Sequence, residues 1–350
     1  MENNSIMSFL NSVLKKKNTN RLFTTPSHGG KLYIYHKFYQ FYKNDISETD
    51  THNPQDALLK SEKQATDIYG TTCTKYLTNG STSGIITAVL ACIKKGEKIL
   101  IWENSHPCHR NAAELAGAEI IEYSIPLIPE WGIPSAVTPE LLEEGLKQGA
   151  KAVIVTSPNY EGVVSDIQAL KKLCNKHGAY LIVDEAHGAL YPFCEKLPTS
   201  AVNIADFTVQ SLHKTAGGLN PTALLHTMTS IDITSALAKI NTTSPSYPLL
   251  ASIEANINYL NSKKGRRKIS DLIQHIEDFK STCQNVDFFD GDMTKILVKK
   301  EGLTGFELSE RLFAKGVEDE KANEKSVMLL TGLGTRKKDL ESLFRLLSKI

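Results

Sequence analysis

Four short stretches of the chain carry side chains whose types could do chemistry together. "FTVQSLHKTAGGLNPTALLH", Phe207 to His226, sets Lys214 between an apolar run and a Gly-rich turn. A loop lysine is ordinarily a solvated cation, so this one needs a reason to be otherwise. "LIVDEAHGAL" sets Asp184 at the end of an apolar run, with His187 three residues on. A carboxylate there costs desolvation energy unless a charged or protonated partner answers it. "ENSHPCHRN" offers His106, a flat imidazole able to stack on a cofactor ring, while His109 reads as the start of the following helix. "TNGSTSG", Thr78 to Gly84, joins a strand-like run to a helical one. Small and hydroxyl residues at such a junction leave backbone N–H groups free to hold a phosphate.

Each stretch alone has a plain structural reading: a solvated lysine, a capping aspartate, a hydrogen-bonded histidine, an N-cap turn. Together they describe one chemistry. The protonated ring nitrogen of pyridoxal phosphate is a partner that answers a buried Asp184. An amine buried beside a positive ring loses proton affinity, because desolvation and like charge both disfavour its charged form. A neutral Lys214 can form a Schiff base with an aldehyde. Gly217 and Gly218 let backbone approach closely. Ser211 and His213 stand where they can reach phosphate oxygens.

The elements that must position these residues read as an α/β chain. From about Cys73 to Leu225 short apolar runs alternate with amphipathic ones. "KILIWENS", "EIIEYSI", "KAVIVTSPNY", "YLIVDEAHG" and "ADFTVQSLHK" read as strands. "AVIVTS" and "YLIV" are nearly all apolar, as strands covered on both faces are, which predicts a mostly parallel sheet between helices. "TPELLEEGLKQGA" is a helix with Thr138 as its N-cap and Pro139 at the first helical position. "YPLLASIEANINYLNSKKGRRKISDLIQHIEDFKSTC" reads as a long spine helix broken near Gly265. The remainder, from "TKILVKK" to "RKKDLESLFRLLSKI", reads β-α-β-α. The expected division is an N-terminal helix and arm over 1–30, a cofactor-binding large domain over 31–285 and a small α+β module over 286–350. In open parallel sheets ligands bind beyond the carboxyl ends of the strands, which is where the four stretches fall.

Composition narrows the partners. A net charge of +1 over 350 residues argues against nucleic acid and against an acidic membrane surface. No run of about 18 apolar residues is present, so no membrane span is expected. The N-terminal order, an early acidic residue with lysines after the short apolar stretch, is wrong for a secretory signal. Six cysteines are scattered without a CxxC pair. They read as reduced thiols of a cytoplasmic protein, and no metal site is expected.

With these residues in view the chain resembles the Orn/Lys/Arg decarboxylase family of pyridoxal phosphate enzymes, from about Thr25 to Ile350. "TPSHGG" is similar to the family's Thr-Pro-Gly-His-Lys-Gly segment, which brings in His28. "TNGSTSG" is similar to its Asn-Gly-Thr-Ser phosphate turn, "NSHPC" to Asn-x-His-Lys-Ser, and "QSLHKT" to Gln-Ser-x-His-Lys. "TSPNYEG" and "DEAHGA" match closely, and "TTSPSYPLLAS" is similar to the segment that reaches the neighbouring subunit's active site. The resemblance implies a fold-type I, aspartate aminotransferase-like large domain and a small C-terminal α+β module. It implies decarboxylation of arginine, lysine or ornithine to an amine or diamine, an activity of polyamine biosynthesis. It makes Lys214 the Schiff-base lysine, Asp184 the partner of the pyridine nitrogen and His106 the stacking residue. His187 would lie against the other ring face or near the phenolic oxygen. Gly80, Ser81, Thr82, Ser211 and His213 would hold the phosphate. Thr243 and Ser244 would reach a partner's site, hence a homodimer. Glu320, and with it His28, would meet the substrate, Glu320 at the distal cation.

Departures from the pattern are equally specific. The chain is expected to be a short form, without the N-terminal receiver-like domain and most of the usual C-terminal domain. Pro107-Cys108 stands where the family has Lys-Ser. "TAGGLNPTALLH" replaces Leu-x-Ala-Leu-Thr-Gln. These changes lie beside the cofactor and leave two alternatives: an aminotransferase or other pyridoxal phosphate enzyme, and a catalytically inactive protein on the same fold. An arginine facing the pocket would favour the aminotransferase, and Arg336 is the candidate.

Overall fold

The computed structural model describes residues 21–23, 53–55 and 57–350. His28 lies outside the described residues. The large sheet has seven strands: β1 (Cys73–Leu77), β2 (Lys98–Trp102), β3 (Glu119–Tyr123), β4 (Ala152–Thr156), β5 (Tyr180–Asp184), β6 (Phe207–Ser211) and β7 (Ala223–Thr227). Their spatial order is β1-β7-β6-β5-β4-β2-β3. β6, β5, β4, β2 and β3 pair in parallel, whereas β7 runs antiparallel to both its neighbours.

The apolar runs explain the layering. Side chains alternate along a strand, so a run apolar at every position must be covered on both faces. Ile99, Ile101, Ile154, Ile182 and Val209 face one core with the helices Gly80–Cys92 and Pro107–Ala116. Leu100, Val153, Val155, Leu181 and Val183 face the other, with the helices Pro139–Lys147 and Ile167–Lys176. Gly84 lets the Gly80–Cys92 helix sit close on the sheet, since a Cβ there would come within 2.8 Å of both Leu77 and Val209. That close approach brings the helix N-terminus to the strand ends.

Three sequence expectations change in detail. Thr138 does stand at the N-cap position, but its side chain makes no cap bond to the helix; Pro139 follows as expected. The spine is two helices, Tyr247–Asn261 and Lys263–Thr282, meeting at Ser262, whose hydroxyl accepts from Gly265 N. β7 was not expected as a strand. Its residues Ala223–Thr227 are all buried, and it closes the gap between β1 and β6.

The second sheet is antiparallel, with β8 (Asp287–Phe288), β9 (Lys295–Lys299), β10 (Lys321–Ala322) and β11 (Val327–Leu330) in the order β8-β9-β11-β10. Ile296, Val298, Val327 and Leu329 pack on the helices Gly305–Phe313 and Lys337–Leu347. Leu297, Met328 and Leu330 face the other way, toward Ile133, Tyr160 and Val163. The second sheet therefore leans on the loop that follows β4, at the carboxyl ends of the parallel strands.

Candidate active site

Asp184 ends β5 and is buried. Its Oδ2 accepts from His109 Nε2 at 3.0 Å and its Oδ1 from Ala186 N at 3.1 Å. Burial alone would push its pKa up. The His109 bond and charge, with the nearby Lys214 ammonium, outweigh this together and hold the carboxyl below its usual range. The helix expected to begin at His109 begins at Pro107, so His109 lies a half-turn in, fully buried against Asp184. Sequence reading missed this contact. Cys108 lies beside the pair, its thiol pushed up to about 12, mainly by burial and then by Asp184. Ligand atoms of Cys108, His109 and Asp184 lie within 4.8 Å of one another. The His109–Asp184 hydrogen bond engages two of the three.

Lys214 follows β6 by three residues. Its Nζ donates to His187 Nε2 at 3.2 Å, and His187 packs edge-on to Tyr160 with ring centres 5.2 Å apart. The lysine's proton affinity is lowered, first by burial, with the Lys295 ammonium adding to the effect and Asp184, Glu320 and Cys108 opposing it. His187 is held well below its usual pKa by burial, then by Lys214 and Lys295. Both side chains are thereby biased to their neutral, nucleophilic or basic forms.

His106 stands at the N-cap of the Pro107–Ala116 helix, its Nδ1 accepting from Cys108 N at 3.2 Å. This fixes Nε2 as the protonated nitrogen and sets the ring at the cavity wall. His106, Pro107, Trp102, Thr156, Tyr160, Glu161, Asp184, His187, Lys214 and Lys321 enclose a cavity of about 330 Å³. It brings together the four residues expected to carry the chemistry, Lys214, Asp184, His106 and His187.

Where the sequence expects the phosphate, Gly80, Ser81 and Thr82 form the first turn of the Gly80–Cys92 helix. Gly80 has φ of 77°, a left-handed conformation that glycine tolerates. Asn79 makes no side-chain cap bond there. Ser211 is fully buried and its Oγ has no hydrogen-bond partner among the described residues. His213 Nδ1 donates to Thr222 O at 3.1 Å.

Other expected residues fall elsewhere. Glu320 accepts from the Tyr160 hydroxyl, so it touches a residue of the cavity wall. Thr243 and Ser244 are exposed in the loop before Tyr247–Asn261 and do not line the cavity. Arg336 is held by Asp339 at 2.8 and 2.7 Å and does not line it either. Behind the wall, Lys295 and Asp292 form a fully buried pair at 2.8 Å, with Tyr191 OH donating to the same carboxylate at 2.8 Å. These three are sequence-distant and were not singled out from the sequence.

The donor set fits pyridoxal phosphate. A buried carboxylate held ionised would face the ring nitrogen, and an amine of lowered proton affinity the aldehyde. A helix N-terminus without a side-chain cap and an orphaned buried hydroxyl would face the phosphate. No helix among the described residues is long and apolar enough to cross a membrane.

Comparison with known proteins gives the same direction. Residues 9–300 match the family model for the major domain of Orn/Lys/Arg decarboxylases. An uncharacterised protein, YaaO of Bacillus subtilis (strain 168), is 29% identical over 308 residues, 83% of this chain and 64% of that protein. Arginine decarboxylase of Halalkalibacterium halodurans is 26% identical over 325 residues, 86% of this chain and 66% of that one. The chain thus spans just under two thirds of the length of these relatives. Among solved structures, the Francisella novicida lysine decarboxylase LdcF superposes with a TM-score of 0.79 at 18% identity, covering 96% of this chain and 58% of that one. A Thermus thermophilus aspartate aminotransferase double mutant superposes at 0.64 and 16% identity, covering 95% and 90%. The fold is that of fold-type I pyridoxal phosphate enzymes, as the sequence resemblance implied.

Proposed function

Since the chain belongs to the Orn/Lys/Arg decarboxylase family, we propose that it removes the α-carboxylate of a basic amino acid, arginine, lysine or ornithine, with pyridoxal phosphate carried on Lys214. The observation that supports this most is the junction of an amine of lowered proton affinity, Lys214, with a buried, ionised Asp184 at one cavity.

The bound cofactor supplies the electron sink for the carbon that loses carbon dioxide. The chain's own residues make that sink work. Asp184, steadied by His109, would keep the pyridine nitrogen protonated. His106 would cover one ring face, and His187 the other face or the phenolic oxygen. Gly80, Ser81, Thr82, Ser211 and His213 would hold the phosphate. His187 Nε2 stands 3.2 Å from Lys214 Nζ and can exchange a proton with it. Cα regains a proton after carbon dioxide leaves, and Lys214, once released from the cofactor and sharing a proton with His187, would be its donor. Glu320, whose charge is felt at Lys214, would meet the basic end of the substrate.

Thr243 and Ser244 are exposed on one protomer, which suits a homodimer in which they complete the partner's site. The cysteines are free, which suits the cytoplasm, and an amine or diamine product suits polyamine biosynthesis. The aminotransferase alternative asked for an arginine at the cavity, and Arg336 is engaged by Asp339 instead.

The test is an absorbance spectrum of the purified protein with cofactor, for wild type and Lys214→Ala, followed by carbon dioxide release from arginine, lysine and ornithine. A Lys214-dependent band with gas from one substrate is expected. A band with no gas from any of the three would move the assignment to another pyridoxal phosphate reaction, and no band would overturn the enzyme reading.

A further inference from the structure

Beyond the groups that meet the cofactor, the cavity holds an ion pair with no role in the reaction above. Lys321, on β10, places its Nζ 2.6 Å from Glu161 Oε1 and 5.1 Å from the centre of the Tyr160 ring. Tyr160 in turn donates its hydroxyl to Glu320. Glu161, Tyr160 and Lys321 all line the cavity that holds Lys214. A carboxylate, an aromatic face and a second carboxylate at the ring's hydroxyl are the elements of a site for an organic cation. An ammonium of the chain itself now fills it.

The two partners are unequal. The Glu161 side chain is 6% exposed, whereas that of Lys321 is 49% exposed. Glu161 is fixed by its surroundings: its backbone N donates to Asn159 Oδ1 at 3.1 Å, and the following Gly162 is packed against Lys295. Lys321 is a flexible four-carbon stem reaching in from the surface. A half-exposed ammonium can leave for water at small cost, whereas a buried carboxylate left without a cation is expensive. Glu161 is therefore the permanent part of the site and Lys321 the exchangeable part.

We propose that Glu161 and the Tyr160 face, with Glu320 held at the Tyr160 hydroxyl, form one recognition subsite for the distal cation of the substrate, in which Glu161 makes the direct contact, and that Lys321 is its internal surrogate, which swings to solvent when that cation arrives. This rests on the basic-substrate reading above. The surrogate keeps the buried carboxylate paired in the free protein. It also sets a threshold: a ligand must offer a cation at the reach of Glu161 to displace Lys321, so an uncharged side chain of equal length gains nothing there.

The experiment compares binding of L-lysine and of L-norleucine, its near-isosteric uncharged counterpart, by calorimetry on the cofactor-loaded protein; arginine and ornithine extend the length series and L-glutamate serves as control. Wild type is expected to prefer one of the basic ligands over norleucine. Lys321→Met removes the competitor and is expected to widen that preference about tenfold or more, the scale of one charge-assisted hydrogen bond. Glu161→Gln is expected to shrink it toward unity. In the cofactor-free protein, the thermal midpoint of Lys321→Met should rise on adding n-butylammonium, and that of wild type should not. Because Lys321→Met could lower stability, Lys321→Arg, which keeps the charge, and the Lys321→Met, Glu161→Gln double variant, which removes both charges, accompany it. A preference unchanged in Lys321→Met, or tighter binding of glutamate than of any basic ligand by wild type, would overturn the proposal. None of these readouts needs turnover. The subsite therefore stands if the switch is seen without carbon dioxide release, which would count against the decarboxylase reading alone.

Discussion

His109 Nε2 lies 3.0 Å from Asp184 Oδ2, and both side chains are buried. The histidine thus stands directly behind the carboxylate that would face the pyridine nitrogen. A carboxylate held by a second donor is oriented before the ligand arrives, so less ordering is left to be done on binding. Replacing His109 by Phe keeps the volume and removes the bond. Affinity of the cofactor-free protein for pyridoxal phosphate should fall by roughly tenfold or more, the scale of a charge-assisted hydrogen bond. Fluorescence titration reads this directly, and unchanged affinity would mean that Asp184 needs no such support.

Lys295 and Asp292 make a buried pair whose loss should be costly on one side only. Lys295→Met strands a buried carboxylate and should destabilise by about 3–5 kcal/mol. Adding Asp292→Asn should recover much of that, as measured by urea unfolding. The pair has a second consequence. Lys295 lowers the proton affinity of Lys214, so without it the Lys214 pKa rises. A smaller fraction of the amine is then neutral at a given pH. In the double variant the pH at which the cofactor attaches to Lys214 should therefore move upward. A pH profile superimposable on wild type would show that the Lys295–Asp292 pair leaves no net charge effect at Lys214.

Much of this site could be read from the residues alone, and the reason is geometric. Asp184, His187 and Lys214 each follow a run of apolar residues, and a parallel sheet delivers every strand end to the same edge. His109 could not be read that way. A helix start was expected at His109, but Pro107 opens the helix two residues earlier and turns His109 inward. Tyr191 and Asp292 are 101 residues apart, and no local pattern predicts their bond. β7 was missed because "TAGGLNP" reads as a turn and the run after it is only five residues long. Its antiparallel pairing comes from the tertiary gap between β1 and β6, not from any local signal. Glu161 and Lys321 are joined only because the second sheet leans on the loop after β4.

Glu185 offers a pH signature independent of any ligand. It is buried, and burial raises its pKa to about 7 despite donors from Ser200, Ala201 and Gln210. Between its unfolded value and about 7 the folded state binds more protons than the unfolded state, so this group makes stability fall as pH rises through that window. His226 has the opposite sign. Burial lowers its pKa to about 3, so its contribution to stability grows as pH rises from there toward the ordinary histidine range. The difference between wild type and Glu185→Gln isolates the first effect. Thermal midpoints from pH 5 to 8 should show the wild type losing stability relative to the variant as pH rises. A constant difference across that range would mean that Glu185 titrates near its ordinary value.

Gly265 gives the sharpest packing test. It lies in the first turn of Lys263–Thr282, where the chain turns back past the end of the preceding helix. A Cβ at this position would lie 1.9 Å from Tyr259 O and 2.8 Å from Tyr259 C. Both are backbone atoms of a helix end, so no side-chain rotation relieves the clash. Alanine is otherwise the better helix former, by about 1 kcal/mol over glycine. Propensity and packing therefore predict opposite signs for Gly265→Ala. Overpacking against fixed backbone should win, with a net loss of at least about 2 kcal/mol in urea unfolding. The same exchange at Gly178 serves as a control, because nothing lies within 4 Å of a Cβ there and only its φ of 63° opposes the change. A smaller loss at Gly265 than at Gly178 would mean that the two spine helices can part at Ser262, and that their junction is softer than the close approach implies.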